Sequence, residues 1–142
     1  MLALDVNILI SAFRADSPDH AAMRVFLEDS VNGTEPVGLT DAVLGGVVRV
    51  LTHPKVFTPP SPLDRVLSEC EDLVSHPGTV RLLPGPRHWE IFRGLCVAAN
   101  AKGNLVADAQ HAAIAIENGA TWVSKDRDFA RFAGLRWRHP LD

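Results

Sequence analysis

The sequence predicts an α/β domain with a mainly parallel sheet, on three observations. Short apolar segments alternate with segments of helical period. The 142 residues, 46% hydrophobic and 22% charged, suit one soluble domain spanning 1–142 with a core of its own. The chain also opens on the apolar run Leu2-Ala3-Leu4-Asp5-Val6, which reads as a buried central strand with a carboxylate at its end.

After this strand, two helices are expected, separated near Ser17-Pro18, with Ser17 as cap and Pro18 in the first helical turn. Ala22, Val25, Phe26 and Asp29 give the period of the second helix, and Asn32-Gly33 ends it. Val37 to Thr40 is a second strand. Asp41 to Leu51 is a helix with Val43, Leu44, Val47, Val48 and Leu51 inward, stopped by Pro54. Pro59, Pro60 and Pro62 stiffen the loop around Phe57. Leu63, Val66, Leu67, Cys70, Leu73 and Val74 form an amphipathic stripe ending at His76-Pro77-Gly78. Val80 to Leu83 is a third strand, and Trp89, Phe92, Leu95, Cys96 and Ala99 mark the helix after it. Asn104 is expected to cap a helix from Leu105 to Asn118, closed by Gly119. Thr121 to Ser124 is a fourth strand. A short helix near Asp128-Phe132 and an edge strand around Trp137 complete the chain.

Composition excludes several classes. No apolar run can cross a bilayer, and the N-terminus lacks the basic start and cleavage site of a signal peptide, so a cytoplasmic protein is expected. Cys70 and Cys96 read as buried free thiols. A net charge of −3 argues against a general polyelectrolyte binder. With Asp5, Asp108, Asp126 and Asp128 on a metal, the remainder would be −3 + 4 = +1, leaving room for local basic patches. Arg14, Arg49, Lys55, Lys102, Lys125, Arg127 and Arg131 are the candidates, each more readily read, taken singly, as an ordinary solvated charge.

The acids carry the chemistry. An ionised Asp5 at a buried strand end costs several kcal/mol unless a cation or donor offsets it. Asp126 and Asp128 follow the fourth strand, where open α/β sheets bind ligands. Asp108 lies one turn into a helix among Ala107, Ala109, Ala112 and Ala113, whose small side chains permit close packing on the sheet. Converging carboxylates raise one another's pKa, and a hard dication removes that penalty. Such a site suits metal-assisted phosphodiester hydrolysis. Taken singly, each acid is at least as readily structural, and Asp126 and Asp128 could simply cap the next helix. There is no Gly-x-Ser-x-Gly elbow, phosphate-binding Gly-rich loop or His-Glu-x-x-His motif. A small-molecule phosphatase would want an acid at the Asn7 position. His111, three residues after Asp108, reads as a helix-surface contact.

Four segments together bear a family resemblance: Leu4-Asp5-Val6-Asn7-Ile8-Leu9, Arg49-Val50-Leu51-Thr52-His53-Pro54, Gly103-Asn104-Leu105-Val106-Ala107-Asp108-Ala109, and Gly119 through Phe129. In this order they resemble a PIN domain of the VapC toxin type over nearly the whole chain. The resemblance implies an α/β/α sandwich and a Mg²⁺ (or Mn²⁺) site in an acidic pocket. It also implies endoribonuclease activity, homodimerisation and inhibition by a cognate VapB-type antitoxin. It places the catalytic, metal-binding acids at Asp5, Asp108 and Asp126, with Asn7, Ser124 and Asp128 auxiliary. One position departs from the pattern. Where the family commonly has a Glu three residues before the helix Arg, this chain has Gly46, with Asp41 a poorly spaced substitute. The alternative to a working nuclease is therefore an impaired PIN-like module that binds antitoxin or RNA without cutting.

Overall fold

The computed structural model describes residues 1–142. Five parallel strands form one sheet in the order β3-β2-β1-β4-β5. The strands are β1 (Leu2–Leu4), β2 (Val37–Leu39), β3 (Thr79–Arg81), β4 (Thr121–Val123) and β5 (Arg136–Arg138). Registry runs Ala3 to Gly38 on one side of β1 and Ala3 to Trp122 on the other. Every residue of β1 and β2 is buried, whereas the edge strands β3 and β5 are half-buried to exposed. That gradient is the one expected when helices cover both faces of a parallel sheet.

Six α-helices complete the fold: α1 (Val6–Phe13), α2 (His20–Val31), α3 (Asp41–Leu51), α4 (Leu63–Val74), α5 (His88–Ala99) and α6 (Asn104–Glu117). The crossovers β1 to β2 and β2 to β3 step one way along the sheet, and β3 to β4 steps back. Right-handed crossovers therefore put α1–α4 on one face and α5–α6 on the other. The packing agrees, with α1 against α2 and α3, α3 against α4, and α5 against α6. The three-layer α/β/α expectation is borne out, and the sheet is wholly parallel.

Local chemistry sets the ends. Thr40 closes β2 and caps α3, its Oγ1 accepting from Val43 N at 3.1 Å. Gly103, at φ +56°, starts α6 in a conformation that disfavours any side chain. Asn104 is thus the first helical residue rather than the cap. Ser17 does not cap α2 either; Asp19 occupies that position without a side-chain cap bond, and the Ser17 carbonyl accepts from His20 N. The buried face of α2 is Met23, Leu27 and Val31, an i, i+4, i+8 row. Ala22 and Val25, which marked the helical period in the sequence, point to solvent because this row is the one facing the core. On α4, Val66, Cys70 and Leu73 are buried, while Leu63 and Leu67 stay exposed. On α5 only Leu95 is fully buried, and Cys96 is half-buried rather than interior. Strand β3 starts one residue earlier and ends two earlier than expected, since Leu82 turns into the core and Pro84 cannot continue a ladder.

Candidate active site

The carboxyl ends of β1 and β4 lie side by side at the centre of the sheet, and their outgoing connections diverge. In α/β sheets this crevice is where ligands bind. Asp5 leaves β1 there and is 7% exposed. Its Oδ1 accepts from Val6 N at 2.7 Å, capping α1. Its Oδ2 accepts from Ser124 Oγ at 2.5 Å and Asn7 Nδ2 at 3.0 Å. Asn7 Nδ2 also approaches Ser124 Oγ at 3.0 Å, while Asn7 Oδ1 accepts from Lys125 N at 3.2 Å. Ser124, fully buried, further accepts from Asp126 N at 3.0 Å. Asp5, Asn7 and Ser124, which are 119 residues apart at the extremes, thus form one knot across the β1–β4 junction. Burial pushes the Asp5 carboxyl upward, and the Ser124 hydroxyl opposes the rise.

Asp126 is exposed and begins the short 3-10 helix Arg127–Arg131, its Oδ1 accepting from Asp128 N at 2.8 Å. The capping role open from sequence is therefore real for one oxygen of Asp126. Asp128, also exposed, faces Arg131 at 3.6 Å.

Asp108 contrasts with both. It is half-buried on α6, where no hydrogen bond or ion pair engages its carboxylate. Its pKa is pushed from the ordinary 3.8 to about 6, first by burial and then by the charges of Asp126, Asp5 and Asp128. The fold therefore brings all four acids into one mutually repelling field. It does not draw three ligating side chains into a preformed metal cage.

The donor chemistry nevertheless suits a hard cation. Every candidate donor is oxygen, and the repulsion raising Asp108 is what a dication would cancel. Magnesium keeps several waters and is commonly held by one or two carboxylates, so a loose protein cage is compatible with it. Gly46 on α3 supplies no donor. A Cβ built there would lie 3.0 Å from Val6 Cγ2, so α3 packs closely on the residue after Asp5. Asp41 is not its replacement, because it pairs with Arg81.

A PIN domain family profile matches residues 2–135. The chain belongs to the PIN domain family. It is 51% identical over 142 residues to ribonuclease VapC43 of Mycobacterium tuberculosis H37Rv, covering 100% of this chain and 97% of that protein. It is 36% identical over 140 residues to ribonuclease VapC25 of the same strain, covering 99% of each. Among solved structures, VapBC-1 from nontypeable Haemophilus influenzae matches with a TM-score of 0.69 at 14% identity, covering 99% of this chain and 98% of that one. The last likeness is one of fold.

Other PIN-site features were hidden in the sequence. Lys125, a candidate RNA-facing cation, instead ties α1 to α2 through Ser11 Oγ at 2.6 Å and Asp19 Oδ2 at 2.8 Å. Arg14 is likewise taken up by Asp16, and lies over the Phe57 ring at 4.4 Å. Arg49, Lys55, Lys102 and Arg127 form no ion pair. His111 is no surface contact. Its ring stacks on buried Trp122 at 5.2 Å, and burial holds the imidazole below its ordinary range, partly offset by Asp5. Its i+3 spacing from Asp108 was the available signal; the aromatic partner on β4 was not legible.

No helix is long and apolar enough to cross a membrane.

Proposed function

We propose that this PIN domain is an endoribonuclease, using Mg²⁺ or Mn²⁺ held by Asp5, Asp108 and Asp126 to hydrolyse RNA phosphodiester bonds. The observation that carries this reading is the convergence of acids at the β1–β4 junction, where Asp5 is knotted to Ser124 and Asn7 and where burial first, and then the charges of Asp126, Asp5 and Asp128, raise the Asp108 carboxyl. Carboxylates concentrated this way, with Arg131 only partly offsetting their effect on Asp108, favour a dication. When bound, such an ion would supply an activated water and offset charge developing on the phosphoryl oxygens.

The chain's own residues do the positioning. Ser124 and Asn7 fix the Asp5 carboxylate in one orientation, so that little reorganisation accompanies ligand binding. The Asp128 amide fixes Asp126 through Oδ1, leaving Oδ2 available. Asp128 adds negative charge without being required as a ligand. Unpaired Arg127, between two of the acids, and Arg49 at the cleft wall offset the negative charge that an approaching RNA backbone brings.

The likeness to VapC ribonucleases also supports a VapB-type antitoxin partner, and we propose in addition that two copies pair in a cytoplasmic homodimer. Co-purification with the product of an adjacent small reading frame, and the mass in solution, check these two. A second reading rests on Gly46: a module that binds antitoxin or RNA without cutting. Cleavage of a structured RNA with Mn²⁺, with excess EDTA, and by Asp5→Asn separates the readings. The nuclease reading expects cutting only by the wild type with metal, at least about 100-fold above the variant, the scale of losing one electrostatic group in a catalytic centre. Equal cutting by Asp5→Asn would remove that residue from the site. No cutting under any condition would favour the binding module.

A further inference from the structure

Beside the acids lies a cavity of about 440 Å³, within the range of small-molecule sites. Its walls come from both faces of the sheet. The first three turns of α3 contribute Ala42, Gly46 and Arg49, and α6 contributes Ala107, Gln110 and His111. Leu82, Leu83 and Pro84, just past β3, and His88 at the start of α5 close the far side.

Three features fit it to a flat, polar-edged ring with a phosphate attached. Its walls mix apolar surface (Leu82, Leu83, Pro84, Ala107, Ile114) with groups that donate or accept at ring edges (Thr40, Gln110, His88, His111). His88 and His111 line it with rings that hydrogen-bond to nothing in the protein, and since their Nδ1 atoms are sealed from solvent the Nε2 edges are left to meet a ligand. Arg49 makes no ion pair and offers the planar fork that suits phosphate. The cavity also joins the acidic crevice directly. Gly46 abuts Val6, the neighbour of Asp5, and Ala107 precedes Asp108. Gly46 therefore has a positive consequence: the position that lacks an acid leaves the wall between cavity and crevice low.

We propose that this cavity receives one unpaired base of the RNA, immediately beside the scissile phosphate, and reads its edge through Gln110 and the two histidines. Arg49 holds the adjoining phosphate. The inference rests on the ribonuclease reading and deepens it. Only an unstacked base can enter such a recess.

The test compares wild type with Ala42→Phe, which fills the cavity mouth, and Gln110→Leu, which removes one polar contact. A randomised RNA pool is cut with Mn²⁺ and the new ends are sequenced. Wild type is expected to favour one base at a fixed position by about tenfold, the worth of roughly one good hydrogen bond. Both variants should flatten that preference to about twofold or less. Wild-type cutting without base preference, or variants that keep it, would overturn the proposal. If the wild type cuts nothing, the ribonuclease reading fails and a second measurement decides the cavity. The four nucleoside 5′-monophosphates are titrated into ¹⁵N-labelled protein in EDTA. Shifts at the Gln110 side-chain amide and the Ala42 and Ala107 amides, lost in Ala42→Phe, would uphold base binding. No shift with any of the four would overturn it.

Discussion

Asp5 and Asp108 are carboxylates of the same crevice held in opposite ways. Asp5 is the more deeply buried, yet three donors surround it, and hydrogen bonds led by Ser124 oppose the rise that burial causes. Asp108 is half-exposed but has no donor, and its pKa rises to about 6. The difference teaches a division of labour. One acid is pre-positioned by neutral groups that stay in place with or without a ligand, and the other has its charge resisted by burial and by neighbouring acids, a cost that the proposed cation would offset.

The largest effect should come from removing the Asp108 charge. Asp108→Asn should abolish metal-dependent cleavage and also the thermal stabilisation that wild type gains from Mn²⁺. In EDTA the same substitution should stabilise the fold. The sign follows from linkage: a carboxyl raised above its unfolded value binds the extra proton in the folded state. Its destabilising contribution is therefore absent below about pH 4 and grows as pH rises toward 6. Asp108→Asn should gain about 1 kcal/mol near pH 7.5, after allowance for solvent screening at a half-exposed site, and almost nothing near pH 4. Denaturant melts at the two pH values check this; equal gains at both would mean that the repulsion is not electrostatic.

Next in size is the pre-positioned side. Ser124→Ala removes the shortest hydrogen bond to Asp5 and strands a buried carboxylate, which should cost about 1–3 kcal/mol at pH 7. Much of that loss should disappear at low pH, where Asp5 is neutral. A loss independent of pH would make Ser124 a packing residue only.

The smallest effect sharpens the comparison by adding a donor. Gly46→Glu brings a carboxylate beside the crevice at the expense of a 3.0 Å contact with Val6 Cγ2, so slight relaxation of α1 is required. Mn²⁺ affinity should rise by about tenfold, the worth of roughly one added carboxylate contact, with cleavage rising alongside. Calorimetric titration measures it, and unchanged affinity would show that position 46 does not face the metal.

The fold was legible because the central strands β1, β2 and β4 were short and mostly apolar, and because alternation with helices permits few topologies. Asp5 could be singled out since an acid at a buried strand end needs a partner. Its actual partners were less visible. Ser124 and Asn7 entered through family resemblance, because a hydroxyl 119 residues away gives no local signal. The buried side of α2 was hidden for a related reason: Val25 and Met23 have similar hydrophobicity, and only the neighbouring helix decides which is covered. Lys125 looked like a free cation until the fold supplied Asp19 and Ser11. The cavity beside the acids has walls from four separate segments, and no pattern along the chain announces it.

The central claim, that Asp5, Asp108 and Asp126 jointly hold one divalent ion, is tested most directly by paramagnetic broadening. Substoichiometric Mn²⁺ added to ¹⁵N-labelled protein should first erase the backbone amide signals of these three residues and their immediate neighbours, and should spare them in Asp108→Asn. Broadening centred elsewhere, or around only one of the three, would contradict the account.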